Sequence, residues 1–136
     1  VEAWLIRDDP ASHALFTESV EAAWDARAQL RARGVAPEVA LYVLPNALAV
    51  RFEQSGTLLD LLHKWTMRTC LNAHREIWQA SMDEIEQVGA VHPSLTRHIG
   101  PPCFVRTGVV RPRCTEGSHF CGVPVWKTYP EISRTI

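Results

Sequence analysis

The chain has 136 residues, 46% of them hydrophobic and 21% charged, the balance of one soluble globular domain rather than a disordered tail or a membrane protein. Fourteen basic and fifteen acidic residues leave a formal charge of −1, so no global field draws the chain to nucleic acid or to an anionic membrane. No run approaches the ~20 apolar residues of a membrane span, and no leader-like segment precedes the first helix signal, so a cytoplasmic protein is expected.

Asp8-Asp9-Pro10 starts a helix, with acids at its amino end and a proline that the first turn tolerates. Nothing breaks the helix before Arg33. Leu15, Val20, Trp24 and Leu30 lie at loosely helical spacing, and Gly34 sits where a left-handed cap would end a long amphipathic element. A short helix is expected from Pro37 to about Val43. Residues 47–54 then alternate, with Leu48, Val50 and Phe52 on one face and Ala49, Arg51 and Glu53 on the other, which predicts a half-buried strand.

Ser55-Gly56 ends that strand, and Thr57 can cap a helix carrying Leu58, Leu61, Leu62 and Trp65. Asn72 can cap a further helix with Ala73, Ile77, Ala80 and Ile85, ending near Gly89. One more turn, Ser94 to Arg97, follows Pro93. Residues 100–136 then hold four of the seven glycines, five of the nine prolines and three of the four cysteines. With no sustained period of either kind, such a segment needs a metal or a partner chain to order it. The domain reading is therefore a helical and strand body over 1–99 with an irregular tail over 100–136 packed on it.

The charge divides at a similar place. Residues 97–136 hold six basic and two acidic side chains against eight and thirteen in residues 1–96. The tail is cationic, suited to an anionic small ligand or to the acidic part of its own or a partner chain.

The four cysteines, Cys70, Cys103, Cys114 and Cys121, include no C-x-x-C pair, which excludes a standard zinc ribbon or thioredoxin motif. Three fall in the tail as Gly100-Pro-Pro-Cys103, Cys114-Thr-Glu-Gly117 and Cys121-Gly122. A four-thiolate site would staple the tail to Cys70. Zinc and an iron–sulfur cluster both accept four cysteines, and the bland alternative is a buried Cys70 with free tail thiols. The six histidines form no H-E-x-x-H pair, and no P-loop, G-x-S-x-G or G-x-G-x-x-G is present. No side-chain nucleophile stands out, so the catalytic residue is unassigned.

Leu44-Pro45-Asn46-Ala47, Leu61-Leu62-His63, Met67-Arg68-Thr69-Cys70 and Ala73-His74-Arg75-Glu76-Ile77, taken in order with the cysteine tail, resemble the carboxy-terminal half of the flavin-dependent thymidylate synthase family over about residues 15–123. The resemblance implies an α/β fold, an antiparallel sheet flanked by long helices. It also implies a homotetramer with active sites shared between chains, and methylation of C5 of a uridine nucleotide, dUMP or UMP, with FAD, NADPH and methylenetetrahydrofolate.

Position by position, Arg68 matches the arginine that contacts the nucleotide, and a guanidinium suits a uracil carbonyl or a phosphate oxygen. His63 matches a flavin-contacting position, and Glu76 matches a structural glutamate. Leu41, Thr57, Leu59 and His74 depart from the family pattern. The family's R-H-R and serine segment, which binds flavin phosphates, would precede Val1, so a missing amino-terminal half or a second chain is expected to complete the flavin site. The alternative reading is a non-catalytic divergent paralogue or assembly subunit with a structural metal site. No membrane or specific nucleic-acid partner is expected.

Overall fold

Asp9 caps the longest element from outside, its carboxylate accepting the Ser12 backbone N–H at 2.9 Å. The Ser12 side chain and then its backbone N–H hold the carboxyl below its ordinary range. The computed structural model describes residues 1–134. They divide into two compact units, Val1–Glu53 and Gln54–Ile136.

In the first unit a single turn, α1 (Trp4–Arg7), precedes the long α2 (Pro10–Ala32). Gly34, at φ +86°, follows the cap residue Arg33, a left-handed conformation that costs glycine nothing. The short α3 (Pro37–Ala40) continues as a 3-10 turn over Leu41–Val43. No residue of α2 is fully buried, and Leu15 stands 66% exposed. The amphipathic stripe expected of α2 is only partly covered. Phe16, Val20 and Trp24 face Pro45, Leu48 and Ala49 across a cavity of about 130 Å³.

The expected antiparallel sheet does not form. Among the described residues there is no strand, and residues 49–57 form no regular element. Val50 and Phe52, expected on a buried face, are 72% and 71% exposed. Alternation describes the shape of an extended segment, but a strand exists only where a second segment takes its N–H and C=O groups. Residues 47–54 are the one alternating run here. The fold is therefore helical rather than α/β.

The second unit begins with a capping box. The Thr57 Oγ1 accepts the Asp60 N–H at 3.3 Å, and the Asp60 carboxylate accepts the Thr57 N–H at 3.0 Å. Two orphan amides of α4 (Leu58–Arg68) are thereby satisfied. Leu61, Leu62 and Trp65 turn inward from α4 onto Ile85 and Val88 of α5 (Arg75–Val91) and onto Ile99. The two helices are also tied at their edge. The Glu84 carboxylate accepts from both the Lys64 ammonium, at 2.7 and 2.8 Å, and the Trp65 indole N–H, at 2.8 Å.

Asn72, expected to cap α5, does something else. His74 occupies the cap position without a side-chain hydrogen bond, and the Asn72 amide donates to the His119 carbonyl at 2.8 Å. After α6 (Pro93–Thr96) and α7 (Pro102–Val105) the chain is irregular except for 3-10 turns at Gly117–His119 and Val125–Lys127. It packs through Val125, with Cys103, Cys121, Val123, Tyr129 and Ile132, onto Leu71 and Trp78. A second, separate core cluster thus joins the residues after Gly100 to the α4–α5 junction.

Candidate functional site

Arg68 ends α4 and His63 lies near its middle, both exposed. Five residues apart at 3.6 per turn, they project roughly 140° apart around the helix. His63 lies in an exposed strip with Leu59 and Met67, which are 74% and 49% exposed. Arg68 lies on the flank beside Lys64. A ligand lying on one face of α4 meets one of them and not the other.

An imidazole between two exposed apolar side chains suits the edge of a flat heteroaromatic ring such as a flavin. Arg68, held at the carbonyl end of the helix where positive charge is favoured, offers its planar fork of donors outward. The described residues thus present an imidazole and a guanidinium on different faces of one helix.

The four cysteines come from four separate places. Cys70 follows the end of α4, Cys103 lies in α7, Cys114 follows Pro112 and Arg113, and Cys121 follows the turn at Gly117–His119. All four line one small cavity of about 20 Å³, together with Leu71, Asn72, Pro101, Glu116 and Val125 among others. They are free thiols, each half-buried. Burial raises the Cys70 thiol above its ordinary range, and the charges of Glu116, Cys121 and Cys114 push the same way. Burial, with Cys70, Cys114 and Cys121 nearby, pushes Cys103 up to about 11. Among the described residues no three His, Cys, Asp or Glu side chains stand ready-made to hold a metal ion.

Two tail contacts had no signal in the sequence. The Arg134 guanidinium donates to the Ala73 carbonyl at 2.7 Å and lies over the Trp78 ring at 5.8 Å from its centroid. Arg111, Pro112, Arg113, Phe120 and Trp126 line a cationic concavity beside Cys114. Neither shows as periodicity or as a spaced motif, because each depends on how an irregular segment folds back.

A larger groove of about 710 Å³ runs along α5, between Trp78, Met82 and Ile85 on one side and Thr96, Phe104 and Tyr129 on the other. Tyr129 packs on the Phe104 ring with centroids 4.8 Å apart, and burial pushes its phenol up to about 12. A folded pKa raised above the ordinary 10 means that the neutral phenol is the form the fold holds. Its contribution is intact below pH 10 and is lost as pH rises from about 10 to 12. Alkaline titration followed by far-ultraviolet circular dichroism should show stability falling over that window, and less so in Tyr129→Phe. Equal alkaline loss in both proteins would show that Tyr129 is not the group responsible.

The segment holding His63, Arg68 and Glu76 lies within residues 2–94, which match the family described as thymidylate synthase complementing protein. The chain belongs to that family. It is 32% identical over 108 residues to a flavin-dependent thymidylate synthase of Geobacter sulfurreducens, an alignment covering 79% of this chain and 44% of the relative. Its identity to the flavin-dependent thymidylate synthase of Saccharolobus solfataricus is 30% over 100 residues, or 74% and 38% of the two chains. For that of Sulfurisphaera tokodaii it is 29% over 97 residues, or 71% and 38%. The chain spans less than half the length of these curated relatives. No solved structure matches it. No helix among the described residues is long and apolar enough to cross a membrane.

Proposed function

We propose that the chain is the nucleotide-binding portion of a flavin-dependent thymidylate synthase, acting in the cytoplasm on C5 of a uridine nucleotide, dUMP or UMP. The observation that carries this reading is Arg68. It stands exposed at the last turn of α4, inside the matched segment, with the helix behind it fixed by Trp65 and the Lys64–Glu84 pair.

Arg68 orients the nucleotide through a bidentate contact to a carbonyl or phosphate oxygen. His63 and the apolar side chains beside it face the flavin ring from another side of the same helix. When bound, FAD would supply the reducing chemistry, with NADPH as the source of reducing equivalents and methylenetetrahydrofolate as the source of the carbon. A homotetramer with shared sites brings further walls to both faces, since α4 alone encloses neither ligand. Such a site works by positioning rather than by a strong side-chain nucleophile.

Calorimetry with dUMP and with UMP tests the reading. Arg68→Ala is expected to weaken nucleotide binding by about 1.5–3 kcal/mol, the range for a hydrogen bond to a charged group, with the circular dichroism spectrum unchanged. Affinity equal to the parent protein removes Arg68 from the site. Failure of the parent protein to bind either nucleotide refutes the proposal for this chain.

A further inference from the structure

We propose that Cys70, Cys103, Cys114 and Cys121 together bind one soft divalent cation of the zinc type, which fastens the segment after Gly100 to the end of α4. The chain has only four cysteines, drawn from four separate stretches, and every one of them lines the same cavity. Packing of small apolar side chains has no reason to collect all of them at one point, whereas a thiophilic ion does.

The cavity suits a small occupant. A space of about 20 Å³ holds roughly one water-sized body, room for a single ion. The backbone around the cavity is tied and turned. The Asn72 side-chain amide donates to the His119 carbonyl at 2.8 Å, joining the Cys70 end of α4 to the stretch between Cys114 and Cys121. Gly117 and Gly122, at φ +55° and +80°, turn the chain just after Cys114-Thr-Glu and Cys121, in a conformation that favours glycine.

Charge is offset in part. Four thiolates on a dication carry −2 and Glu116 also lines the cavity, while Arg111 and Arg113 line the concavity that Cys114 shares. The sulfurs surround the cavity without three of them standing at ligand spacing. Binding therefore turns side chains inward, which a cysteine does by rotating one torsion. Four S–H bonds break, four S–metal bonds form, and up to four protons pass to solvent, with no oxidant or reductant needed.

The full chain, purified without chelator, should contain one zinc per chain by elemental analysis. Exchange with Co(II) should give the intense near-ultraviolet bands of sulfur-to-metal charge transfer and the red bands of tetrahedral coordination, saturating at one equivalent. Cys114→Ser should weaken Co(II) binding at least about tenfold, no less than the loss of an outer-shell partner causes.

Because the unaltered chain is the main test, a variant that fails to fold does not decide the matter. Native protein that shows no cobalt–thiolate bands overturns the proposal. So does a disulfide among these cysteines in freshly isolated protein, or stoichiometric iron with acid-labile sulfide. The outcome is independent of whether the chain binds a nucleotide.

Discussion

Trp65→Ala is expected to destabilise the unit Gln54–Ile136 by about 3–5 kcal/mol, the range for truncating a buried aromatic residue. Trp65 is 2% exposed and packs with Ile85 and Ile99 at the centre of the α4–α5 contact, with Leu61, Leu62 and Val88 around them. The cost arises mainly from the cavity. Glu84 keeps the Lys64 ammonium as a partner when the indole N–H is gone, so no carboxylate is stranded.

Trp65→Phe weights the two contributions differently, because it removes the hydrogen bond to Glu84 while retaining most of the apolar volume. That variant should lose only about 1–2 kcal/mol, since the acceptor is partly solvated and already paired. Urea unfolding followed by circular dichroism measures both. A loss below about 1 kcal/mol in the alanine variant would show that the two helices are held from elsewhere. Arg68 lies one turn beyond Trp65, so on the proposed role of Arg68 loosening α4 should also weaken nucleotide binding.

The helices were legible because their signals are local. Asp9 and Pro10 start α2, Gly34 follows its end in the left-handed conformation, and Thr57 caps α4, each through chemistry confined to one turn. Leu61, Leu62 and Trp65 were readable as an inward face for the same reason. The sheet does not follow from the sequence because alternation is also a local signal while a sheet is not. Leu48, Val50 and Phe52 alternate, but no other segment offers them a ladder, and Val50 and Phe52 end up in solvent.

Asn72 shows a related failure. It has the chemistry of a helix cap, yet a carbonyl 47 residues further on, that of His119, takes its amide instead. The tail could be recognised from its cysteines as needing a tether, but its core contacts through Val125 and Tyr129 had no periodic signature. Arg68 and His63 could be named by resemblance. Their separation around α4 emerges only when the helix is drawn as a helix, and it puts them on different faces of it.

Gly100→Ala is expected to destabilise the same unit by about 1–3 kcal/mol, the usual cost of overfilling a packed interior. Gly100 is buried where the chain leaves Ile99 for Pro101, Pro102 and Cys103. A Cβ there would stand 2.5 Å from Phe104 Cδ1 and 2.9 Å from Tyr129 Cε1, closer than real Cβ atoms come. Both rings are held. They pack on each other at 4.8 Å, and Tyr129 also belongs to the cluster around Val125 and Trp78.

An added methyl group must push the Phe104 and Tyr129 rings toward the groove they line or move the backbone leading to Cys103. Gly56→Ala is the control, because its Cβ would meet Asp60 Cβ at an ordinary 3.5 Å. Phe104→Leu in the Gly100→Ala background should recover part of the loss by clearing the nearer ring edge. Urea midpoints of the four proteins decide the question. If Gly100→Ala unfolds at the same urea concentration as Gly56→Ala, the contact between Phe104 and Tyr129 does not constrain the approach to Cys103, and the segment is held by other ties.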